Sequence, residues 1–330
     1  MQSLKLYTFT TNNTIKATIM DNRRQENGNN KVEVMTPKNR IWGFFVISVF
    51  LMVPGILSPL ILAQSSSGAP KSVEFSSHVY TYPATPFAEK QASKSGVQVE
   101  LKTESSIPLT GYLFQPRDEG PHSAVVLLHT CTGITEHEFH WANMLLEWGH
   151  VVLMVDSLTP RKQTYICDGR LGSVAPWNRA LDAYGAKKYL SNLSFVDPGR
   201  ISVMGMSHGG MAMLEAVKKS TTDNISIAPF NAAVAYYPLC GEPTALNAPG
   251  LILIGELDTW TPAEQCVQYV EKLGQRGDMT LKVFPNGYHL FDHPGIDQKE
   301  LGKVLRSDPI LASQGMKITR DFLIEHLTQP

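Results

Sequence analysis

The chain has 330 residues, enough for one large α/β domain or two small ones, and its 43% hydrophobic and 18% charged residues are those of a globular protein. A formal net charge of −1 gives no basic footprint, which argues against nucleic acid as a partner and leaves a small molecule as the expected substrate.

The first segment, residues 1–40, is polar, rich in Asn and Thr and without sustained apolar periodicity, so it reads as disordered. Met35 opens a compact basic stretch of its own and offers an alternative translation start. Residues 41–63 carry no charge, follow Lys38 and Arg40, and precede Gln64-Ser-Ser-Ser-Gly. A basic flank, an apolar run and a small residue before a polar stretch are the pattern of a secretory signal, with Ala63 the last residue removed. The run is also long enough to span a bilayer as a retained anchor, although Pro54 and Pro59 interrupt it as a helix. Both readings place the rest of the chain outside the cytoplasm, periplasmic or secreted. A membrane partner enters only if residues 41–63 are retained.

Residues 64–96 read as a linker, and residues 97–330 as one catalytic domain. Val97–Lys102 and Leu109–Phe114 are expected to form a hairpin. Ser123–His129 is a near-continuous apolar run, as in a strand buried on both faces. Phe139–Trp148 reads as a helix, Val151–Asp156 as a second buried strand, and Trp177–Leu190 as a helix with apolar residues at i, i+3, i+4 and i+7. Further strands are expected at Ile201–Met204, Phe230–Tyr236, Leu251–Ile254 and Leu281–Phe284. Helices are expected at Met211–Lys219, Ala263–Leu273 and Met316–Leu327. Such alternation implies an α/β fold with a mostly parallel sheet and helices on both faces.

Four cysteines, Cys131, Cys167, Cys240 and Cys266, follow the apolar segment, and an even number in an exported chain permits two disulfides. Cys240 follows one strand and Cys266 lies near the start of a helix, ends expected side by side above a parallel sheet. Cys240–Cys266 and Cys131–Cys167 are therefore the expected pairs. No cysteine or histidine cluster has zinc spacing, so neither a metal nor another cofactor is expected.

The chemistry concentrates after residue 200. Gly205-Met-Ser207-His-Gly209 joins a buried strand to a helix, the setting of a nucleophile elbow in which small flanking residues permit a tight turn. A serine hydroxyl needs a base, and His289 sits in the loop after the Leu281–Phe284 strand, with His293 as competitor. His137, His140 and His150 read as surface groups. The orienting acid is expected at Asp258, in the exit loop of Leu251–Ile254, with Glu256 the alternative. The oxyanion donors are assigned to the backbone N–H groups of His208, which follows the nucleophile, and Cys131, in the loop after Ser123–His129. Trp260, Tyr288 and Phe291 flank these positions and are candidates to line a pocket.

The pieces Ala124–His129, Val196–Gly210, Gly255–Asp258 with Thr261-Pro262, and Gly287–Asp292 together resemble the dienelactone hydrolase family of α/β-hydrolases. The resemblance implies that fold and an ester- or lactone-cleaving enzyme with Ser207 as nucleophile, Asp258 as acid and His289 as base. A peptidase or acyltransferase on the same triad, or a non-catalytic binding member of the fold, are the alternatives. Two departures stand out: the founding members of the family carry Cys where this chain has Ser207, and a Glu at the position matching Thr130. Simple esters are therefore expected to be better substrates than dienelactone.

Overall fold

The computed structural model describes residues 31–34, 69–81, 103–168, 174–225 and 227–327. The expected strand Val97–Lys102, the apolar segment 41–63 and most of residues 1–40 lie outside them. In chain order the strands are β1 (Lys31–Val34), β2 (Lys71–Ser76), β3 (Tyr80–Thr81), β4 (Thr103–Glu104), β5 (Pro108–Phe114), β6 (His122–Leu128) and β7 (Val151–Asp156), then β8 (Val196–Met206), β9 (Ala233–Tyr236), β10 (Gly250–Gly255), β11 (Met279–Phe284), β12 (Asp297–Glu300) and β13 (Lys303–Arg306). The helices are α1 (Glu136–Glu147), α2 (Pro176–Leu190), α3 (His208–Ala216), the short α4 (Lys219–Thr222), α5 (Ala263–Leu273) and α6 (Pro309–Leu327).

Nine strands form one sheet in the order β1-β11-β10-β9-β8-β6-β7-β5-β2. All neighbours from β1 to β7 run parallel, while β5 is antiparallel to both β7 and β2. Ala124 to Leu128 on β6 are all 0% exposed, so successive side chains on opposite faces are equally covered. Helices therefore cover both faces, as the apolar runs predicted. The fold is that of an α/β-hydrolase.

Three expectations need correction. The partner of β5 is β2, with Val73 opposite Gly111, so the supposed linker 64–96 supplies an edge strand. Its alternation, in which Val73 and Phe75 are half-buried between exposed neighbours, is the signature of a strand with one packed face. Lys31–Val34, inside the segment read as disordered, pairs parallel with β11 and satisfies that strand's open edge by backbone hydrogen bonds. This strand lies N-terminal to the apolar segment, so a chain processed after Ala63 retains eight strands with β11 at the edge. Finally, α6 starts at Pro309, well before Met316, because Asp308 Oδ1 accepts from the amides of Ile310 and Leu311 at 2.9 and 3.1 Å and so caps the helix.

The sequence reading missed the hairpin β12–β13. Its residues are largely charged, and its turn, Leu301-Gly302 with φ of 48° and 76°, is not one of the usual Asn-Gly or Asp-Gly signals. The hairpin matters for the site because the amide of Arg306 donates to the carbonyl of His289 at 3.1 Å. Both expected disulfides are present, Cys131–Cys167 with Cα atoms 5.1 Å apart and Cys240–Cys266 at 5.0 Å.

Candidate active site

Ser207 stands between β8 and α3 with φ of 51° and ψ of −113°, a backbone state that costs an L-residue of order 1–3 kcal/mol. Its surroundings hold it there. Ser207 N–H donates to the Tyr236 carbonyl at 2.9 Å, and its own carbonyl accepts from Met211 at 3.0 Å. The flanking glycines make the turn sterically open: a Cβ on Gly205 would stand 2.1 Å from the Gly209 carbonyl oxygen, and one on Gly209 would stand 2.3 Å from that of Leu128. The motif's two glycines are thus required by backbone contact, and the start of α3 is seated against the end of β6.

Asp258 follows β10, and its Oδ1 accepts from the amides of Trp260 and Thr261 at 2.8 and 2.9 Å. Its Oδ2 lies 2.6 Å from His289 Nδ1 and 2.9 Å from Thr261 Oγ1, which donates to it. A carboxylate only accepts, so His289 Nδ1 carries the hydrogen and Nε2 is left with its lone pair towards Ser207 Oγ, 3.1 Å away. Trp260 stacks on the His289 ring with a 19° interplanar angle, and Tyr237 lies 4.6 Å from it on centroids. These contacts fix the ring orientation. The competing residues take other places: Glu256 accepts from the Asn286 amide at 3.1 Å, and His293 Nδ1 lies 3.2 Å from the Pro294 carbonyl.

On the other side of Ser207, the loop from His129 to Thr135 is held by a buried carboxylate. Glu138 Oε1 accepts from the Thr130 amide at 3.1 Å, and Oε2 accepts from the Thr135 amide and hydroxyl at 2.8 and 2.6 Å, which also completes the capping box of α1. His129 Nδ1 donates to the Thr130 carbonyl at 2.6 Å, while its Nε2 accepts from Ser157 N–H at 3.2 Å. Burial and then the Arg179 charge push the His129 imidazole well below its ordinary value, so it is neutral. The Cys131–Cys167 disulfide ties the same loop to the segment after β7. Among the described residues, the amides of Cys131 and His208 donate to no protein acceptor, so both remain available.

Ser207, His289, Cys131 and Trp260 line one cavity of about 200 Å³, with Leu290, Ile296 and Leu305 as its apolar wall and Thr130, His137, His293, Gln298 and Glu300 as its polar one. The structure does not bring Tyr288 or Phe291 into this cavity. Tyr288 instead lies under the Arg306 guanidinium, 5.0 Å from ring centroid to Cζ, and Phe291 is fully buried between Tyr236, Tyr237 and Phe284. An aromatic beside a triad position in sequence faces the core as readily as the cleft.

His137 and His150 are buried, not surface groups. His137 belongs to a network centred on Asp292, which the sequence reading missed. Asp292 Oδ2 accepts from His137 Nε2 at 3.0 Å and Trp141 Nε1 at 2.7 Å, and Oδ1 accepts from the Tyr237 hydroxyl at 2.7 Å. Three donors, two from α1 and one from the residue just after β9, thus anchor the loop that carries His289. The Gly-Tyr-His-Leu-Phe-Asp string contains the residue, but no local spacing announces partners 55 to 155 positions away. Burial raises the Asp292 carboxyl, yet the His137 charge and the three donors outweigh it and hold it below its ordinary value. Burial likewise opposes charge on His137, and Asp292 overcomes this to raise it above 6.5.

The lowered Asp292 contributes stability above 3.8 that is lost as pH falls through its folded value, and the raised His137 contributes below 6.5 and loses it as pH rises through its own. Asp292→Asn should cost about 3–5 kcal/mol at about pH 6, where the raised His137 is charged, because it leaves a buried cation without its partner. Urea denaturation should show that cost shrinking at the acid and alkaline ends of this window. A cost independent of pH would mean that the pair is not ionic.

The sequence profile of the dienelactone hydrolase family matches residues 109–303, more than half of the chain. No match is found among curated proteins. Among solved structures, a dienelactone hydrolase-like promiscuous phosphotriesterase from metagenomic libraries is similar at 16% identity and a TM-score of 0.59, covering 78% of this chain and 99% of that one. A protein from Klebsiella pneumoniae described as a dienelactone hydrolase is similar at 16% identity and a TM-score of 0.53, covering 78% of this chain and 100% of its own. At such identity these structures speak for the fold, and the profile match speaks for the family. With the fold expected of an α/β-hydrolase, the chain belongs to the dienelactone hydrolase family and is a carboxylic ester hydrolase.

Proposed function

We propose that the chain cleaves carboxylic esters through an acyl-enzyme on Ser207. The observation that carries this reading is the continuous relay of Ser207 Oγ, His289 and Asp258, at 3.1 and 2.6 Å. His289 Nε2 takes the Ser207 proton as Oγ attacks the ester carbonyl carbon, and it returns that proton to the leaving alkoxide as the C–O bond breaks. Water then attacks the acyl carbon, losing a proton to the same nitrogen, and that proton passes to Ser207 Oγ as the acyl–Oγ bond breaks and the acid leaves. Asp258 holds the imidazole in the required tautomer and favours the imidazolium formed in each half. The free amides of Cys131 and His208 are the donors for the oxyanion. A cavity of about 200 Å³ suits a short acyl group. Removing the nucleophile tests the reading: Ser207→Ala should lower ester turnover by roughly 10³-fold or more while circular dichroism stays native. Retention of most activity by the folded variant defeats the assignment.

Substrate preference follows from what surrounds Ser207. Thr130 lines the cavity with its hydroxyl 2.7 Å from that of Thr132, and the carboxylate that holds this loop, Glu138 on α1, is committed to two backbone amides and the Thr135 hydroxyl. Activation therefore rests on His289 alone. Short-chain alkyl and aryl esters should show a higher kcat/KM than dienelactone on one preparation. A preference for dienelactone by about an order of magnitude, roughly 1.4 kcal/mol of differential barrier, contradicts this.

We further propose that the catalytic domain works outside the cytoplasm. The uncharged run at 41–63 and two disulfides support this, because such bonds persist in oxidising compartments. N-terminal sequencing of protein from its native host should read Gln64 first. Full-length chain in the soluble cytoplasmic fraction contradicts export, and full-length chain in the membrane fraction contradicts cleavage.

A further inference from the structure

Arg179, on α2, is 0% exposed, and its guanidinium spans the two segments that carry the free amides. Nη2 donates to the carbonyl of His129 at 2.7 Å, and Nη1 donates to Nδ1 of His208 at 2.8 Å. An arginine cannot accept, so the His208 imidazole receives this bond on its lone pair and carries its hydrogen on Nε2. Burial first, and the Arg179 charge second, push that imidazole down to about 3, so it is a neutral acceptor throughout the working range. The Gly209 contact lies at the same junction, since a Cβ there would also stand 2.6 Å from the His129 carbonyl oxygen.

The charge of Arg179 is unusual in what it lacks. Among the described residues, no carboxylate forms a salt bridge with it, and its Nε has no hydrogen-bond partner. Asp182 favours its charge from a distance, but both carboxylate oxygens of Asp182 are taken by Arg161 in a two-pronged pair at 2.8 Å each. A fully buried cation without a direct counter-ion is costly in a resting protein. It becomes useful where negative charge develops during a reaction, in a site that excludes water.

We propose that Arg179 is a positioning residue for the oxyanion hole: its two-pronged bonds to His129 and His208 set the spacing of the Cys131 and His208 amides, and its positive charge favours the oxyanion they receive. This rests on the ester-hydrolase reading above. Arginine is required, because lysine offers a point charge and cannot reach both acceptors in a fixed plane. The contribution belongs to the transition state, in which the carbonyl oxygen is charged, and not to the neutral bound ester.

The test uses the full chain with a p-nitrophenyl ester and with an aryl trifluoromethyl ketone, which adds to the serine and presents an oxyanion. Arg179→Lys should lower kcat by about 10- to 100-fold, approaching the loss of one oxyanion donor, with KM changed less than about twofold. The ketone's inhibition constant should rise by a similar factor. His208→Ala, which cuts one link but keeps the backbone amide, should show the same split to a smaller degree, and it decides the matter if Arg179→Lys does not fold. A folded Arg179→Lys with unchanged kcat overturns the inference, as does a loss carried by KM with ketone binding intact. Activity that persists in Ser207→Ala signals failure of the triad reading instead, whereas Ser207-dependent activity indifferent to Arg179 sinks only the present proposal.

Discussion

The active site depends on one close contact, the seating of Gly209 against the carbonyls of Leu128 and His129. It brings the first turn of α3 to the end of β6, so that the strained Ser207 and the His129–Thr135 loop face each other across the mouth of the sheet. Side-chain bulk at this junction would separate them by an atom's diameter. The parallel sheet supplies the frame, because β6, β8, β9, β10 and β11 all end on the same side of the sheet and each contributes a loop there. Ser207, Asp258 and His289 come from three such loops, which explains how positions 31 and 82 apart come to share a hydrogen-bonded line.

Around that line, buried polar groups do the positioning, and most are heavily bonded. Asp258 accepts from two amides, a hydroxyl and an imidazole; Asp292 accepts from three side chains; Glu138 accepts from two amides and a hydroxyl. Such saturation offsets the cost of burying a carboxylate and leaves each loop one low-energy arrangement. Arg179 is the exception, satisfied on two prongs only and, among the described residues, without a carboxylate partner. The contrast between the saturated anions and this cation is what singles it out.

How much of this was legible in the sequence follows from the range of the interactions. Buried strands such as Val151–Asp156 could be read because their apolar runs are local, and the tight turn at Ser207 because Gly205 and Gly209 are needed within two residues of it. The choice of Asp258 and His289 followed from element order, since the acid and base of the proposed triad must emerge from later strand ends. The edge strand β2 escaped because only Val73 and Phe75 carry its packed face, and β12–β13 because its charged residues and Leu-Gly turn give no strand signal. The roles of Asp292, Glu138 and Arg179 were invisible for another reason: a buried ionic side chain looks like a surface one until its partners are known. Tyr288 and Phe291 failed in the opposite sense, since their nearness to His289 in sequence said nothing of which way their rings turn.

The central claim is a covalent intermediate on Ser207, and trapping it is the most direct measurement. Ester turnover quenched in acid, followed by proteolysis and mass spectrometry, should place the acyl group on the Ser207 hydroxyl. Turnover with no acylated peptide at any quench time, under conditions where deacylation limits the rate, would contradict the account.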